Sequence, residues 1–324
     1  MRRREFIAWL GAAATPGAWP LSAPAQPTKI PRVGYVWFGF PDPNVAIAGL
    51  RQGLADRGYV LGRNLLLEER YAEGDRARVP GLIAELLALD VDVLVTGTSG
   101  TILAARKATT TVPIVGVAAD WVGGGLAASL SRPGSNVTGL SLLSEDISSK
   151  WLEYLKEAVP KLHRVAVLGN DNPAVLAEMR RIDEAAAGFG IAVTRLNTAP
   201  QKLEASLTAM TGANFDGLIA TDTIEVETLL PRLIPLVARN LLPTIYGFGF
   251  AVRQGGLMAY SADFFEIWRR VAGYVDRILK GARPADLPIE QATEIKFAIN
   301  LKTAKALGLD IPPMLLAAAN EVIE

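Results

Sequence analysis

No cysteine and only one histidine occur among the 324 residues of the chain. The lack of cysteine excludes disulfides, thiol chemistry and a lipid-modified N-terminal cysteine. The histidine, His163, falls between a predicted helix and a predicted strand, which is typical of a surface connector and not of a catalytic base. Metal-ligand spacings and a G-x-G-x-x-G fingerprint after a strand are missing as well. We therefore expect no metal, no cofactor and no catalytic residue.

An excess of charge of one sign is also missing, because 33 basic and 33 acidic residues give a formal net charge of zero. A basic surface for nucleic acid is therefore not expected. After the N-terminal segment, no stretch approaches the roughly 18 consecutive apolar residues of a membrane-spanning helix. We expect a soluble mature protein, long enough for two domains and a large core.

The first 25 residues have the composition of an export signal. Residues 2–4 are three arginines, residues 6–14 are mostly apolar, and Ala23-Pro24-Ala25 is an A-x-A cleavage site. This pattern predicts a signal peptide over residues 1–25, a mature N-terminus at Gln26 and a periplasmic location. Arg3-Arg4-Glu5-Phe6-Ile7 is similar to a twin-arginine signal, and the choice between the Tat and Sec routes stays open.

The most informative stretch covers residues 90–105. Val91, Val93, Leu94 and Val95 make a short apolar run rich in valine, which is typical of a strand buried on both faces. Thr96-Gly97-Thr98-Ser99-Gly100 ends this strand, and a helix is predicted over 101–107. In an open parallel sheet, ligands bind at the carboxyl ends of the strands, where a helix N-terminus favours an anion. The hydroxyls of Thr98 and Ser99 either cap this helix or hold a ligand.

The second half of the chain repeats this design. Residues 215–223 again form an apolar strand that ends in small polar residues and leads into a helix. The following strands correspond too, residues 112–116 with 242–247, as do the first strands, residues 32–36 with 164–168. Strands that alternate with helices predict parallel α/β sheets. Two such halves with facing loops predict a cleft between them.

Local signals also predict helix boundaries. Asp42 as a cap and Pro43 as the first helical residue predict the start of the first helix. A helix over residues 224–240 contains Pro231 and Pro235, which predicts that it is kinked or split.

Three strands, near Leu140, Tyr260 and Thr293, are predicted to cross between the two lobes. The first lobe would then contain residues 30–140 and 262–290, and the second lobe residues 141–261 and 291–324.

Two acidic residues follow predicted strands at the edge of the cleft. An unpaired carboxylate would be costly after a buried strand, so Asp222 is either a helix cap or the partner of a ligand cation. Asp120 has the equivalent position in the first half. Other carboxylate pairs, such as Glu225 and Glu227, fit a solvated face. Aromatic residues at strand ends belong singly to core or rim, but together they favour an apolar or aromatic ligand: Trp37, Phe38, Tyr246 and Phe248.

Short motifs typical of one protein family occur along almost the whole chain. They include Arg51-Gln52-Gly53-Leu54, Tyr71-Ala72-Glu73-Gly74, Arg132-Pro133-Gly134-Ser135-Asn136-Val137-Thr138-Gly139, Gly281-Ala282-Arg283-Pro284-Ala285-Asp286-Leu287-Pro288 and Ile299-Asn300-Leu301-Lys302-Thr303-Ala304. With these motifs the chain resembles the ABC-transporter substrate-binding family that includes tryptophan-binding, TrpX-type proteins. The resemblance implies an α/β fold with two Rossmann-like lobes, parallel sheets and three hinge strands, the type I periplasmic-binding-protein fold.

The same resemblance implies a function and a site. An amino-acid carboxylate would bind at Thr98 and Ser99 and its ammonium at Asp222, next to Thr223, where amino-acid binders of this type often have Asn. The chain would be the solute-binding component of an ABC importer, with a permease of the inner membrane as its partner and no enzymatic activity. A periplasmic sensor subunit and an exported α/β enzyme acting on a small acid are the alternatives. The predicted ligand-binding residues are Trp37, Phe38, Thr98, Ser99, Asp120, Thr221, Asp222, Thr223, Tyr246 and Phe248.

Overall fold

The computed structural model describes residues 29–41, 44–142, 144–211 and 214–324, and the predicted signal peptide and cleavage site lie outside these ranges. Pro31–Glu324 forms one compact unit. Within the described ranges, no helix combines the length and the apolar character needed to cross a membrane.

The strands follow one another along the chain as β1 (Arg32–Trp37), β2 (Leu66–Tyr71), β3 (Val93–Gly97), β4 (Ile114–Ala118), β5 (Val137–Ser141), β6 (Arg164–Gly169), β7 (Ala192–Asn197), β8 (Gly217–Ala220), β9 (Thr244–Tyr246), β10 (Met258–Ala262), β11 (Glu290–Gln291), β12 (Ile295–Asn300) and β13 (Glu321–Ile323). The α-helices are α1 (Val45–Ala55), α2 (Val79–Ala88), α3 (Ser99–Ala108), α4 (Ser144–Ala158), α5 (Pro173–Phe189), α6 (Pro200–Ala209), α7 (Ile224–Arg239), α8 (Phe250–Arg253), α9 (Phe264–Leu279), α10 (Leu301–Ala306) and α11 (Pro313–Ala318). Short 3₁₀ turns cover Arg76–Arg78 and Pro284–Asp286.

These strands form two sheets, one in each lobe. The first has the order β11-β5-β4-β3-β1-β2 with parallel pairing throughout, and the second has the order β13-β12-β10-β9-β8-β6-β7. In the second sheet the β10–β12 pair is antiparallel. Both sheets therefore contain the order 2-1-3-4-5, as β2-β1-β3-β4-β5 and as β7-β6-β8-β9-β10. The internal repeat predicted from the sequence is thus present at the level of topology.

Apolar side chains cover both faces of each sheet. Val33 and Val95 belong to the cluster beneath α1 and α9, whereas Val36 and Leu94 belong to the cluster beneath α2 and α3. The second sheet has two corresponding clusters. Side chains of a strand alternate between the faces, so strands buried on both sides are apolar almost continuously. This explains why the short valine-rich runs were recognisable in the sequence.

The chain passes between the sheets three times. It leaves the first sheet after β5, returns after β10 through α9, and leaves it again between β11 and β12. Helix α9 packs against α1 of the first lobe, where a Cβ on Gly53 would meet the carbonyl oxygen of Arg269 at 2.3 Å. This close helix contact requires glycine at position 53 and fixes the helix that carries part of the candidate site.

The start of α1 differs from the sequence-based prediction. Asn44 caps α1, since its Oδ1 accepts a hydrogen bond from the N–H of Ile47 at 3.0 Å. The helix therefore begins at Val45, and the predicted start at Asp42 and Pro43 lies outside the described residues.

Helix α7 is continuous and is not split at its two prolines. Both Pro231 and Pro235 are exposed. The carbonyl groups that lose an N–H partner to these prolines therefore lie on the solvent side, where water can replace the missing hydrogen bonds. The apolar stripe on the other side, with Val226, Leu230 and Leu233, keeps the helix packed on its sheet.

Candidate functional site

A cavity of about 550 Å³ lies at the carboxyl ends of strands from both sheets. Trp37 and Gly97 end β1 and β3 in the first sheet, while Asn170 and Asp222 follow β6 and β8 in the second. In each sheet these two strands flank the point at which the strand order reverses. Open α/β sheets bind ligands at this topological switch point. The cavity is therefore the candidate binding site of the protein.

The N-terminus of α3 forms one side of the cavity. Thr98 caps the helix, because its Oγ1 accepts a hydrogen bond from the N–H of Thr101 at 3.2 Å. Ser99 is the first helical residue and is partly exposed at the cavity, and its hydroxyl has no hydrogen-bond partner among the described residues. The sequence left open whether these two hydroxyls cap the helix or hold a ligand, and in the structure the two residues differ in this respect. The Thr98 hydroxyl caps the helix, and the Ser99 hydroxyl is available to a ligand.

The backbone at Thr98 is strained. Its φ is 74° and its ψ is 141°, a combination that residues with a side chain rarely adopt. Such a conformation costs on the order of 1–3 kcal/mol and is found mainly at functional sites. It lies where β3 turns directly into α3, whose first N–H groups and dipole favour a bound anion.

Arg76 adds positive charge to this side of the cavity. Its Nη1 lies 3.7 Å from the position that a Cβ on Gly100 would occupy, next to the N-terminus of α3. The guanidinium forms an ion pair with Glu225 and lies 5.5 Å from the ring centroid of Phe38. The second carboxylate oxygen of Glu225 accepts a hydrogen bond from Nδ2 of Asn170 at 2.8 Å. A cation at a helix N-terminus is suited to a carboxylate ligand.

The turn between β8 and α7 forms the opposite side. Thr223 caps α7, since its Oγ1 accepts a hydrogen bond from the N–H of Val226 at 3.3 Å. The capping role that the sequence allowed for Asp222 therefore belongs to Thr223. Asp222 precedes the cap, is partly exposed and lines the cavity. A Cβ on Gly247 would lie 2.5 Å from the backbone nitrogen of Asp222, so glycine lets the ends of β8 and β9 approach this closely.

Two of the predicted ligand-binding residues do not line the cavity. Thr221 is fully buried, and its Oγ1 donates a hydrogen bond to the carbonyl oxygen of Leu168 at 2.9 Å. Tyr246 is still part of β9, so its side chain is directed to a helix-covered face of the sheet and is fully buried in the core. We therefore leave both residues out of the candidate site.

Asp120 lines the cavity but also has a structural task. Its Oδ1 accepts a hydrogen bond from the N–H of Gly123 at 2.7 Å and closes the turn that follows β4. In the described part of the chain, no group of three or more His, Asp or Glu residues is arranged to hold a metal ion.

Aromatic rings form the third wall. Trp37, Phe38 and Phe248 line the cavity at the predicted places, and Trp268 of α9, which sequence analysis missed, lines it too. The rings of Trp37 and Trp268 meet edge to face at 5.4 Å. Both lie against Gly97, where a Cβ would come within 2.5 Å of Cζ3 of Trp37. Trp268 is far from β1 in sequence, so no local signal could have placed it here.

Sequence analysis also missed three acidic residues of the cavity. Glu225 and Glu227 were expected on a solvated face, and Glu178 of α5 was not considered; all three line the cavity. Burial raises the pKa of Glu227 to about 8. The sequence spacing contained one signal for Glu227. Asp222 precedes the cap of α7 and Glu227 is its fourth residue, and side chains at these two positions lie next to each other at the start of a helix. A cleft position for Asp222 therefore indicated one for Glu227.

Comparisons with known proteins agree with this architecture. The sequence profile of a family described as ABC transporter substrate binding protein matches residues 41–323. A tyrosine-binding protein of Clostridioides difficile strain R20291 is 25% identical over 274 residues, which are 83% of this chain and 78% of that protein.

Solved structures agree as well. The structure of an ABC domain in complex with L-Trp from Streptococcus pneumoniae has a TM-score of 0.82 and 24% identity, covering 90% of this chain and 99% of that one. A conserved domain protein from Vibrio cholerae has a TM-score of 0.81 and 28% identity, covering 91% and 100%. The predicted fold class, two Rossmann-like lobes with parallel sheets, is confirmed.

Proposed function

The chain belongs to the ABC transporter substrate-binding protein family, and on this premise we propose that it is the extracytoplasmic binding component of an importer. Its ligand is a small molecule with a carboxylate, and an amino acid with an aromatic or large apolar side chain fits best. Relatives named for tyrosine binding or solved with L-Trp support an amino acid as the ligand class.

One observation carries the proposal: a single cavity joins an anion-binding side to an acidic side. The α3 N-terminus, with Ser99 and Arg76, is suited to a carboxylate. Asp222 is suited to an ammonium group. An α-amino acid presents both groups, and the aromatic wall with Trp37 and Phe248 would receive its side chain.

The proposal includes a location and a partner. A signal peptide over residues 1–25, followed by a mature chain from Gln26, would deliver the protein to the periplasm, where an ABC permease of the inner membrane would accept the ligand. We assign residues 30–140 and 262–290 to the first lobe, and residues 141–261 and 291–324 to the second. Closure of these lobes about their three connections would enclose the ligand.

A thermal-shift screen of amino acids, aromatic acids and sugars tests the proposal, followed by calorimetry on the compounds that stabilise the protein. A ligand at 100 times its Kd should raise the free energy of unfolding by about 2.7 kcal/mol. Asp222→Asn should weaken an amino acid by roughly 30-fold or more, because losing one partner of a buried charge pair costs about 2–5 kcal/mol. An analogue without the amino group should be little affected.

The matched control is Asp171→Asn, the same change at an exposed residue whose carboxylate lies near Lys202. It should leave the affinity unchanged. Stabilisation by sugars alone, or normal amino-acid binding by Asp222→Asn, would contradict the assignment. Incubation of the bound ligand with the protein, followed by NMR, should reveal no product; turnover would favour an exported enzyme.

A further inference from the structure

Glu227 presents a carboxylate to the cavity without a protein partner. It lies in the first turn of α7, lines the cavity and is partly exposed to it. Within the part of the chain that the structure describes, its carboxylate makes no hydrogen bond and no ion pair. A buried carboxylate in this situation loses water without gaining a replacement.

The charges around the cavity do not provide a cation for Glu227. Among the described residues, Arg76 is the one basic side chain of the cavity wall, and it is already paired with Glu225. The acidic side chains of the wall are Asp120, Glu178, Asp222, Glu225 and Glu227. Even with Glu227 protonated, the acidic side chains of the wall outnumber the basic side chain of Arg76, which favours a ligand that brings a positive charge of its own.

Aromatic side chains border the same region. Glu227 is close enough to Tyr35 to contribute, after burial, to the raised pKa of that phenol. The Tyr35 ring stacks on that of Trp37 at 6.0 Å, and Trp37 lines the cavity. A carboxylate beside aromatic rings is a suitable environment for an organic cation.

We propose that the Glu227 carboxylate binds a protonated nitrogen of the ligand and thereby selects ligands that carry one. The inference rests on the proposed function, since it concerns a ligand held in the same cavity. An ammonium or guanidinium group would supply the hydrogen bonds and the opposite charge that the protein does not. Asp222 and Glu227 would then be two separate acidic contacts of one site.

Binding by this mode would release a proton. With a pKa of about 8, Glu227 is largely protonated in the ligand-free protein at neutral pH. Pairing with a cation requires the carboxylate, so the O–H proton passes to solvent while the ligand nitrogen keeps its own. The other titratable side chains facing this region are Tyr35, Arg76, Asp120, Glu178, Asp222 and Glu225. Comparison of the wild type with a variant at Glu227 therefore shows which part of the proton release comes from Glu227 and which part from these side chains.

The nitrogen could belong to the α-amino group or to a side chain, and two sets of probes distinguish these sources. L-tyrosine is compared with 3-(4-hydroxyphenyl)propionate, which lacks the ammonium, and with tyramine, which lacks the carboxylate. L-lysine is compared with L-norleucine, which lacks the side-chain amine, and with cadaverine. Affinity and proton release are measured by calorimetry at pH 7 in buffers of different ionisation enthalpy, for the wild type and two variants.

The variants are Glu227→Gln and, as a control, Glu204→Gln, which removes one negative charge at an exposed ion pair with Arg232 in the same lobe. For the probe whose nitrogen contacts Glu227, the wild type should bind about 30-fold or more tightly than it binds the analogue lacking that nitrogen. Glu227→Gln should weaken this preference, leaving only the part that Asp222 supplies, and should abolish the proton release. Glu204→Gln should keep both.

Three other results separate this inference from the proposed function. Binding of amino acids with the nitrogen preference intact in Glu227→Gln would overturn the inference alone, and the carboxylate would then serve the protein itself, for example the buried indole N–H of Trp37. Binding of tyramine or cadaverine in a Glu227-dependent manner, without amino-acid binding, would support the inference and contradict the amino-acid ligand. Binding of nitrogen-free acids only would overturn both.

Discussion

Arg76 of the first lobe and Glu225 of the second form an ion pair across the candidate site. The two side chains differ in environment, since 68% of the Arg76 side chain is exposed and only 17% of that of Glu225. Asn170 holds the same carboxylate from the second lobe. The pair therefore links the two lobes at the cavity.

A double-mutant cycle should measure this link. Arg76→Gln, Glu225→Gln and the double variant should show a coupling of about 0.2–1 kcal/mol in ligand affinity, the range for exposed ion pairs. We expect the loss of affinity in the variants to come mainly from faster dissociation of the ligand, which stopped-flow fluorescence measures. Arg253→Gln is the control, because Arg253 pairs with Glu321 within one lobe at a similar exposure. Coupling in stability but not in affinity would contradict a link across the site.

Glu227 should make the ligand-free protein less stable as the pH rises. The pKa of an unfolded glutamate is 4.5 and that of Glu227 is about 8, so the folded state binds more protons between these values. The free energy of unfolding therefore decreases with pH in this window. The stability due to the protonated carboxyl is fully present below about pH 4.5 and is lost by about pH 8. Urea unfolding at several pH values measures the slope.

In Glu227→Gln this component should disappear, and the variant should be more stable than the wild type above about pH 8. Each unit of pKa difference corresponds to about 1.4 kcal/mol. Glu204→Gln should keep the wild-type slope. Equal slopes in wild type and Glu227→Gln would show that the carboxyl is not buried in the ligand-free state.

Gly97→Ala should damage both stability and binding. The added Cβ would lie 2.5 Å from Cζ3 of Trp37 and 3.1 Å from Cζ2 of Trp268, so two rings of the cavity wall must move. Overpacking of this kind costs about 1–3 kcal/mol in the free energy of unfolding. Gly81→Ala in α2 is the control, because a Cβ there meets nothing within 4 Å. Gly81→Ala should raise the free energy of unfolding by about 0.5–1 kcal/mol, because alanine favours a helix more than glycine does. An unchanged ligand affinity in Gly97→Ala would exclude the two tryptophans from the binding wall.

Thr98→Ala and Ser99→Ala should separate helix capping from ligand contact. Loss of the Thr98 cap should lower the free energy of unfolding by about 0.5–2 kcal/mol. Ser99→Ala should leave stability nearly unchanged but weaken a carboxylate ligand by about 10-fold or more, since a hydrogen bond to a charged group contributes about 1.5–3 kcal/mol. Tyramine, which has no carboxylate, serves as the control ligand. A stability loss in Ser99→Ala equal to that of Thr98→Ala would argue against this division.

Much of the fold could be predicted because its signals are local. Asn172 and Asp263, for example, cap α5 and α9 through contacts of this local kind, since a cap depends on a side chain and an N–H group three residues later. The valine-rich strands were recognisable because burial on both faces demands apolar residues. The helix predicted to be kinked or split at Pro231 and Pro235 is not split, because the cost of a helical proline depends on whether the freed carbonyl meets solvent.

The site was predictable only in part. Strand ends after β1, β3 and β8 brought Trp37, Thr98 and Asp222 to the cavity, as the parallel topology requires. Trp268, which was not predicted, lines the cavity because α9 carries it there. The position of α9 depends on its contact with α1, more than 200 residues away in sequence. Tyr246 was predicted to line the site but is buried in the core. It lies within a strand, and the alternation of that strand directs its side chain to a helix-covered face.

The sequence by itself determined the succession of strands and helices, the internal repeat and the family, because periodicity, caps and motifs are properties of neighbouring residues. Tertiary structure alone decided which charges meet in the cavity. Glu227 has the sequence context of an ordinary exposed helix residue, and its raised pKa exists only because the packed lobes remove water from it. Desolvation and the pairing of Arg76 with Glu225 depend on the distance between chain segments that the sequence does not bring together.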